Sequence, residues 1–163
     1  MAMNEETRSA LDEILRKRKD AQDAARVAAE KRKSAEDAFL GRFAQHREAV
    51  IRPTMTAFGD YLTGHDCPCE IADPKSRDGS SVAFAAITFY LFPGGRSYQH
   101  RNHDYPKLSV IAEAREQKVR LDQSTMAPGK GGQAGSIGTF PLEQITPQFL
   151  EERLVGLARE ALR

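Results

Sequence analysis

The stretch "KLSVIAEAREQKVRLDQST" (residues 107–125) decides the fold class, because its side chains alternate between apolar and polar. A period of two residues turns one side of a strand towards a core and the other towards solvent. The polar "REQ" at 115–117 interrupts the alternation and predicts a tight turn. Residues 107–114 and 118–125 are therefore predicted to form an antiparallel hairpin, and the rest of the chain is interpreted outward from it.

Further strand-like segments flank this hairpin. "CEIAD" (69–73) and "SVAFAAITFYLF" (81–92) precede it, and "GSIGTFPL" (135–142) follows it. Their β-branched and aromatic residues favour strands, and the proline at 141 limits the last segment to a sheet edge or a strand end. "PGGR" (93–96) has the composition of a turn. Together these segments predict an antiparallel meander of four or five strands.

A helix is predicted to close the chain. Thr146 has the position of an N-cap, Pro147 suits the first helical position, and Ile145 with Leu150 has the spacing of a hydrophobic staple. One face of this helix is apolar and is expected to cover the sheet; its members are Leu150, Leu154, Leu157 and Ala161. The predicted fold class is α+β in two layers, with the sheet beneath this C-terminal helix.

The N-terminal part of the chain is predicted to be one long helix. Residues 4–52 contain no proline and one glycine, and Ala, Glu, Lys, Arg and Leu dominate them. Such a helix would reach about 70 Å, so it must protrude or pair. Pro53 predicts a kink or restart, followed by a short helix over 53–64. We therefore divide the chain into a helical segment, 1–52, and an α+β body, 53–163.

An apolar heptad repeat within this helix predicts a coiled coil. The repeat continues over four heptads, and such a pattern favours a paired helix over a surface helix. A single solvated helix rich in alanine is the alternative. The predicted dimer interface consists of the a and d positions, namely Leu11, Ile14, Arg18, Ala21, Ala25, Ala28, Arg32, Ala35 and Phe39.

Arginines at two a positions favour an antiparallel homodimer. In a parallel pair each of these arginines would lie beside its own copy, and like charges repel. In an antiparallel register centred between Arg26 and Val27, Arg18 faces Ala35 of the partner near acidic residues. Arg32 likewise faces Ala21 of the partner near acidic residues. A different helical protein is the other possible partner of this helix.

The overall charge argues against a nucleic-acid partner. The net charge is +1, whereas nucleic-acid binders usually carry a marked basic excess. The basic run "RKRK" (16–19) and Lys31 to Lys33 leave a nucleic-acid-associated protein as a lower-ranked alternative. The chain also lacks an apolar run of the roughly 18 residues needed to span a membrane, and its first residues lack the apolar region of a secretory signal. With only two cysteines, these features predict a cytoplasmic protein.

One group of residues has the chemistry of a metal site. Cys67 and Cys69 in "HDCPC" and His100 with His103 in "HRNH" would complete a tetrahedral Cys2His2 zinc site if the two segments were close in space. A single residue between the cysteines is unfavourable, because structural zinc sites usually have two. A zinc-binding domain is therefore an alternative function, and the leading interpretation has no cofactor.

A glycine-rich stretch is the remaining candidate. "APGKGGQAGSIG" (127–138) resembles a phosphate-binding loop in composition, but no Ser or Thr follows the lysine directly and the segment leads into a strand. We interpret it as a hairpin loop that can bind a partner. The residues assigned to this partner-binding surface are Lys130, Gly131, Gly132 and Gln133, together with Arg96 and Arg101 from the basic loop near residue 100.

Without a catalytic constellation in the sequence, no catalytic residue is assigned. The predicted function is that of a non-enzymatic cytosolic interaction or scaffold protein. It would dimerise or dock through the N-terminal coiled coil and bind a protein partner with its α+β body.

Overall fold

The computed structural model describes residues 2–73 and 85–163. Its helices are α1 (Glu5–His46), α2 (Arg52–Thr63) and α3 (Pro147–Ala161), with a π-helical turn at Arg47–Ile51 between the first two. Its strands are β1 (Cys69–Ala72), β2 (Ala86–Leu91), β3 (Lys107–Glu113), β4 (Lys118–Ser124) and β5 (Ala134–Phe140).

The strands form one antiparallel sheet in the order β1-β2-β3-β4-β5. The α+β fold with a five-stranded meander is thus confirmed. The hairpin at its centre turns where the polar triplet predicted, with the Gln117 N–H donating to the Ala114 carbonyl and Gln117 at φ +53°. Residues 81–84 of the predicted second strand lie outside the described residues.

One face of the sheet forms the core with the helices. Alternate residues of the central strands point to this face, as the period of two requires. α3 contributes Leu150, Leu154 and Leu157, and α2 contributes Met55. The fully buried sheet residues on the same face are Ile87, Phe89, Leu91, Leu108, Val110, Val119 and Leu121. The predicted covering of the sheet by the C-terminal helix is confirmed.

The start of α3 has the predicted cap. Thr146 has extended backbone angles, and its Oγ1 accepts a hydrogen bond of 3.2 Å from the Phe149 N–H. Ile145 and Leu150 on either side of the cap are fully buried. The cap satisfies a backbone donor that the first turn of a helix leaves unpaired.

The C-terminal end of α1 belongs to the body. The chain divides into two compact units, Met1–Asp37 and Ala38–Arg163. Phe39 and Phe43 from the end of α1 are core residues, and so is Ile51 of the π-helical turn. His46 Nε2 donates to the Ile145 carbonyl oxygen at 2.5 Å, which ties this end of α1 to the start of α3. Residues 38–52 therefore supply part of the core of the body.

Pro53 is accommodated by widening the helix rather than by breaking it. Proline lacks an N–H and its ring collides with the carbonyl four residues earlier. The Arg52 N–H bonds to the Arg47 carbonyl, five residues back, and Thr54 Oγ1 donates to the Val50 carbonyl at 2.7 Å. The predicted kink or restart takes the form of this π-helical turn, which lets α2 follow α1 directly.

The other face of the sheet is polar in its centre. Thr88 and Ser109 lie opposite each other on β2 and β3 and share a hydrogen bond of 2.9 Å. Arg120 on β4 forms ion pairs with Asp122 and with Glu113. Hydroxyl and ion pairs of this kind satisfy polar groups that lie close together on one sheet face.

Within residues 2–73 and 85–163, no helix combines the length and the apolar character that crossing a membrane requires.

Truncating a core residue of α3 should destabilise the protein far more than truncating its neighbour. Leu154 is 0% exposed and Val155 is 44% exposed. We expect Leu154→Ala to lower the free energy of unfolding by about 2–5 kcal/mol, since it removes buried apolar contacts and leaves a cavity. Val155→Ala is the matched control and should change it by less than about 0.5 kcal/mol. Urea denaturation checks both, and equal effects would contradict this packing.

Removing the cap of α3 tests the local structure of that helix. Thr146→Ala should lower the free energy of unfolding by about 1 kcal/mol, because the Phe149 N–H loses its acceptor. Thr56→Ala serves as control, since Thr56 is exposed within α2. Thermal denaturation compares the two variants; a Thr146→Ala protein as stable as the wild type would contradict the cap.

Candidate interaction sites

The first unit exposes its apolar residues. Every residue from Ala2 to Ser34 is exposed, including Ile14 at 59% and Val27 at 56%. Exposed positions of the predicted coiled-coil interface are Leu11, Ile14, Arg18, Ala21, Ala25, Ala28 and Arg32, while Ala35 is half-buried. Removing the apolar side chains among these from water would lower the free energy.

Local ion pairs join some of the charged residues of the first unit. Lys17 lies 3.0 Å from Glu13, and Arg26 lies 4.0 Å from Asp23. In the part of the chain that the structure describes, Arg18 and Arg32 form no ion pair. The basic run at 16–19 is exposed and one of its members is already paired.

Phe39, the last residue of the predicted interface, lies elsewhere. It is 1% exposed in the core of the body, and the guanidinium of Arg42 lies 5.7 Å from its ring centre. A side chain buried in its own core cannot also line an interface without leaving that core. Phe39 is therefore left out of the interface proposed below.

The proposed zinc ligands are not brought together. Cys67 is buried, and the Cys69 thiol donates to the Cys67 carbonyl at 3.4 Å. The His100 ring instead packs edge-on against Tyr105, and His103 Nε2 lies 3.3 Å from Asp104. Among residues 2–73 and 85–163, no three His, Cys, Asp or Glu side chains are grouped as a metal site requires.

Burial also disfavours metal binding by the two thiols. A cysteine binds zinc as its thiolate. Burial raises the pKa of Cys67, and burial together with the nearby Cys67 thiol raises the pKa of Cys69 to about 12. Both thiols therefore stay protonated near neutral pH, where they act as small apolar core groups.

The basic loop between β2 and β3 is held by its own hydrogen bonds. The Ser97 N–H donates to the Tyr105 hydroxyl at 2.9 Å. Arg96 donates to Glu70 and lies 5.6 Å from the Phe92 ring centre. Arg101 is exposed. Of the two arginines assigned to the partner-binding surface, one is thus already paired.

The glycine-rich loop is closed where β4 and β5 end. The Thr125 N–H donates to the Gln133 carbonyl at 2.9 Å, and the Gln133 N–H donates to Thr125 Oγ1 at 3.1 Å. A Cβ at Gly132 would lie 2.7 Å from the Met126 nitrogen, so only glycine fits there. Lys130 is exposed at the tip, and its N–H bonds to the Ala127 carbonyl.

A cleft of about 580 Å³ lies beside this loop. It is lined by Gln123, Thr125, the run Gly131–Ile137 and Glu160. Three residues of the predicted partner-binding loop, Gly131 to Gln133, therefore line this cleft.

Sequence reasoning missed the other walls of this cleft. Gln123 is a polar residue at a position that should face the core after Val119 and Leu121. That break in the alternation was a usable signal. No such signal in the sequence pointed to Glu160, because this residue lies on α3 and comes close to the cleft only in the folded protein.

The thiols of the folded protein should react slowly. At pH 8 we expect Cys67 and Cys69 to react with iodoacetamide at least about tenfold more slowly in the native protein than in urea, because unfolding restores ordinary thiol pKa values near 8.5. An added surface cysteine, Thr56→Cys, is the control and should react at similar rates in both. Mass spectrometry measures the labelling; rapid native labelling of Cys67 and Cys69 would contradict their burial.

The same shift makes stability dependent on pH. Because burial raises the folded-state pKa of Cys69 to about 12, the contribution of this thiol to stability is complete below about pH 8.5 and falls as the pH rises towards 12.

Comparisons with protein-family models, with curated proteins and with solved structures found no match to this chain.

Proposed function

We propose that this protein is a non-enzymatic interaction protein of the cytoplasm, which self-associates through the N-terminal part of α1 and binds a protein partner with its α+β body. One observation carries the first half of this proposal. Every residue from Ala2 to Ser34 is exposed, although this stretch contains an apolar heptad repeat.

A partner helix would remove these apolar side chains from water. The alanines of the repeat at Ala21, Ala25 and Ala28 are exposed. Burial of each methyl group is worth about 0.8 kcal/mol. The alanines at the repeat positions allow two helix axes to approach closely. Pairing therefore stabilises a segment that has little stability of its own as an isolated helix.

The charges of the segment favour a second copy in the antiparallel direction. In the register centred between Arg26 and Val27, Arg18 faces Ala35 beside Glu36 and Asp37 of the partner. The arginine is attracted by these acidic residues of the partner. It also no longer lies beside the same arginine of the second copy, as it would in a parallel pair.

The other half of the register is equivalent. Arg32 faces Ala21 beside Asp20 and Asp23 of the partner, and Ala25 faces Ala28. The proposed seam runs from Arg18 to Ala35. It excludes the contact between Ile14 and Phe39, because Phe39 is buried in the body.

The cytoplasmic part of the proposal is supported by the cysteines. Cys67 and Cys69 are both free, and buried free thiols suit a reducing compartment.

Native mass spectrometry of the reduced protein tests self-association. We expect a dimer of the 18.1 kDa chain. Arg32→Glu should shift the population to monomer, because it places an acidic residue beside Asp20 and Asp23 of the partner. Arg26→Glu is the matched control, since Arg26 lies on the same helix outside the repeat positions.

Other outcomes of that spectrum are equally informative. A wild-type monomer at all concentrations would contradict self-association and leave another helical protein as the partner. An excess mass of one zinc per chain that is lost on unfolding would instead support the zinc-binding alternative.

Disulfide trapping tests the direction of pairing. A mixture of Ala25→Cys and Ala28→Cys chains should cross-link to each other, because disulfides need Cα atoms within about 7 Å. Ala21→Cys is the control and should not link to itself, since its copies are far apart in the antiparallel register. Efficient linking of Ala21→Cys to itself would indicate a parallel pair and contradict the proposal.

A further inference from the structure

The two edges of the sheet are protected to very different degrees. β1 is four residues long, and charged side chains lie on and beside it. Glu70 pairs with Arg96 at 3.2 Å, and Asp73 pairs with Arg52 at 2.7 Å. Short edges that carry charges discourage the addition of another strand.

The opposite edge, β5, is neither short nor charged. β5 is seven residues long, and the sequence from Gly131 to Phe140 contains no charged residue and no proline. An uncharged edge strand presents backbone N–H and C=O groups that pair readily with an added strand.

Only the first part of β5 is suited to such pairing. The ladder between β4 and β5 shifts register at Leu121/Asp122, and Gly138 has φ +140°. A bulge of this kind bends the strand and interrupts its row of backbone groups. Ile137 is the residue that the shift leaves without a partner on β4, so the regular part of the edge is Ala134–Ser136.

The cleft adjoins this same segment and carries a charge. Its walls are polar but neutral, from Gln123, Thr125 and Ser136, with the exception of Glu160. The Glu160 carboxylate lies 3.5 Å from Arg163 in the last turn of the chain, where both side chains are half-exposed or more. Exposed pairs of this kind contribute little, so an incoming cation can replace Arg163.

We propose that β5 accepts an extended peptide as a sixth strand, which pairs with Ala134–Ser136 and places a basic side chain in the cleft against Glu160. This inference deepens the proposed function and rests on one part of it, the binding of a protein partner by the body. Backbone pairing would supply affinity, and the cleft would select a lysine or arginine at alternate positions of the peptide.

A second copy of β5 fits this site poorly. Its own sequence, "AGSIGTF", offers small and uncharged side chains. Such a strand would leave much of the 580 Å³ cleft unfilled and would bring no cation to Glu160. A peptide with a long basic side chain satisfies both the volume and the charge.

Fluorescence anisotropy with the full-length protein tests the proposal. The probe is a fluorescein-labelled peptide of sequence TVKVTVKVT, and the matched control replaces both lysines by glutamate. A second control carries N-methyl groups on all its backbone amides, which removes the hydrogen-bond donors of both edges and so prevents pairing as a strand. We expect saturable binding of the lysine peptide below about 1 mM and far weaker binding of both controls.

A surface substitution in the protein gives the second readout. Glu160→Gln should weaken binding of the lysine peptide about twofold to fivefold, since it removes one exposed ion pair. Glu160→Lys should weaken it further and improve binding of the glutamate peptide. Glu143→Gln is the control for general charge, because Glu143 is exposed and is not part of the cleft lining.

Three results would overturn the proposal. These are no saturable binding of the lysine peptide, equal binding of the N-methylated peptide, and binding that Glu160→Lys leaves unchanged. Hydrogen exchange of the wild type without peptide is a further test. Protection of residues 134–136 that rises with protein concentration would assign the edge to a second copy and also overturn the proposal.

Failure here and failure of α1 pairing are distinguishable. The titration is repeated with Arg32→Glu. Strand addition does not need the dimer, so this variant should bind the lysine peptide as the wild type does. A wild-type monomer that binds the peptide would contradict self-association alone, whereas a wild-type dimer that does not bind it would contradict strand addition alone.

Discussion

The structure depends on covering one apolar face of a five-stranded sheet. Antiparallel sheets tolerate one face in water but need the other face covered. Phe89 at the centre of β2 shows how close the cover is, since a Cβ at Gly59 of α2 would lie 3.3 Å from its ring. α3 brings its leucines to the same face, and the cap at Thr146 sets where that helix begins.

The same requirement divides α1 into two parts with different roles. Phe39 and Phe43 are used by the core of the body, whereas the residues from Ala2 to Ser34 are exposed. A regular apolar repeat in exposed helix is stabilised by pairing, and the arginines within it restrict which pairings are favourable. The burial of Phe39 also limits the extent of any seam, because a residue committed to one core is not available to another.

Covering one face of the sheet does not protect the backbone groups of its two edge strands. β1 is short and its neighbouring acidic residues are held in ion pairs, whereas β5 is long, neutral and adjacent to a polar cleft. The bulge near Gly138 restricts the accessible part of that edge to its first residues. These differences of geometry and charge are the basis for proposing one short segment of the body as the place for an added strand, and Glu160 as the residue that selects its side chain.

Much of this architecture was determined locally by the sequence. The alternation in residues 107–125, the turn before Lys118 and the cap at Thr146 each depend on neighbours along the chain, so periodicity and residue type predicted them. The long helix was predicted for the same reason, since its residues favour helix whatever surrounds them.

The sites were decided by tertiary structure. Phe39 fits the heptad repeat and the body core equally well by sequence, and only packing places it in the core. Cys67 and His100 have suitable chemistry for one metal site, yet the meander leaves them in different environments. Gln123 and Glu160 both line the cleft although they lie far apart in the chain. Local patterns determine which elements form, whereas proximity between distant residues exists only once the sheet and helices have packed.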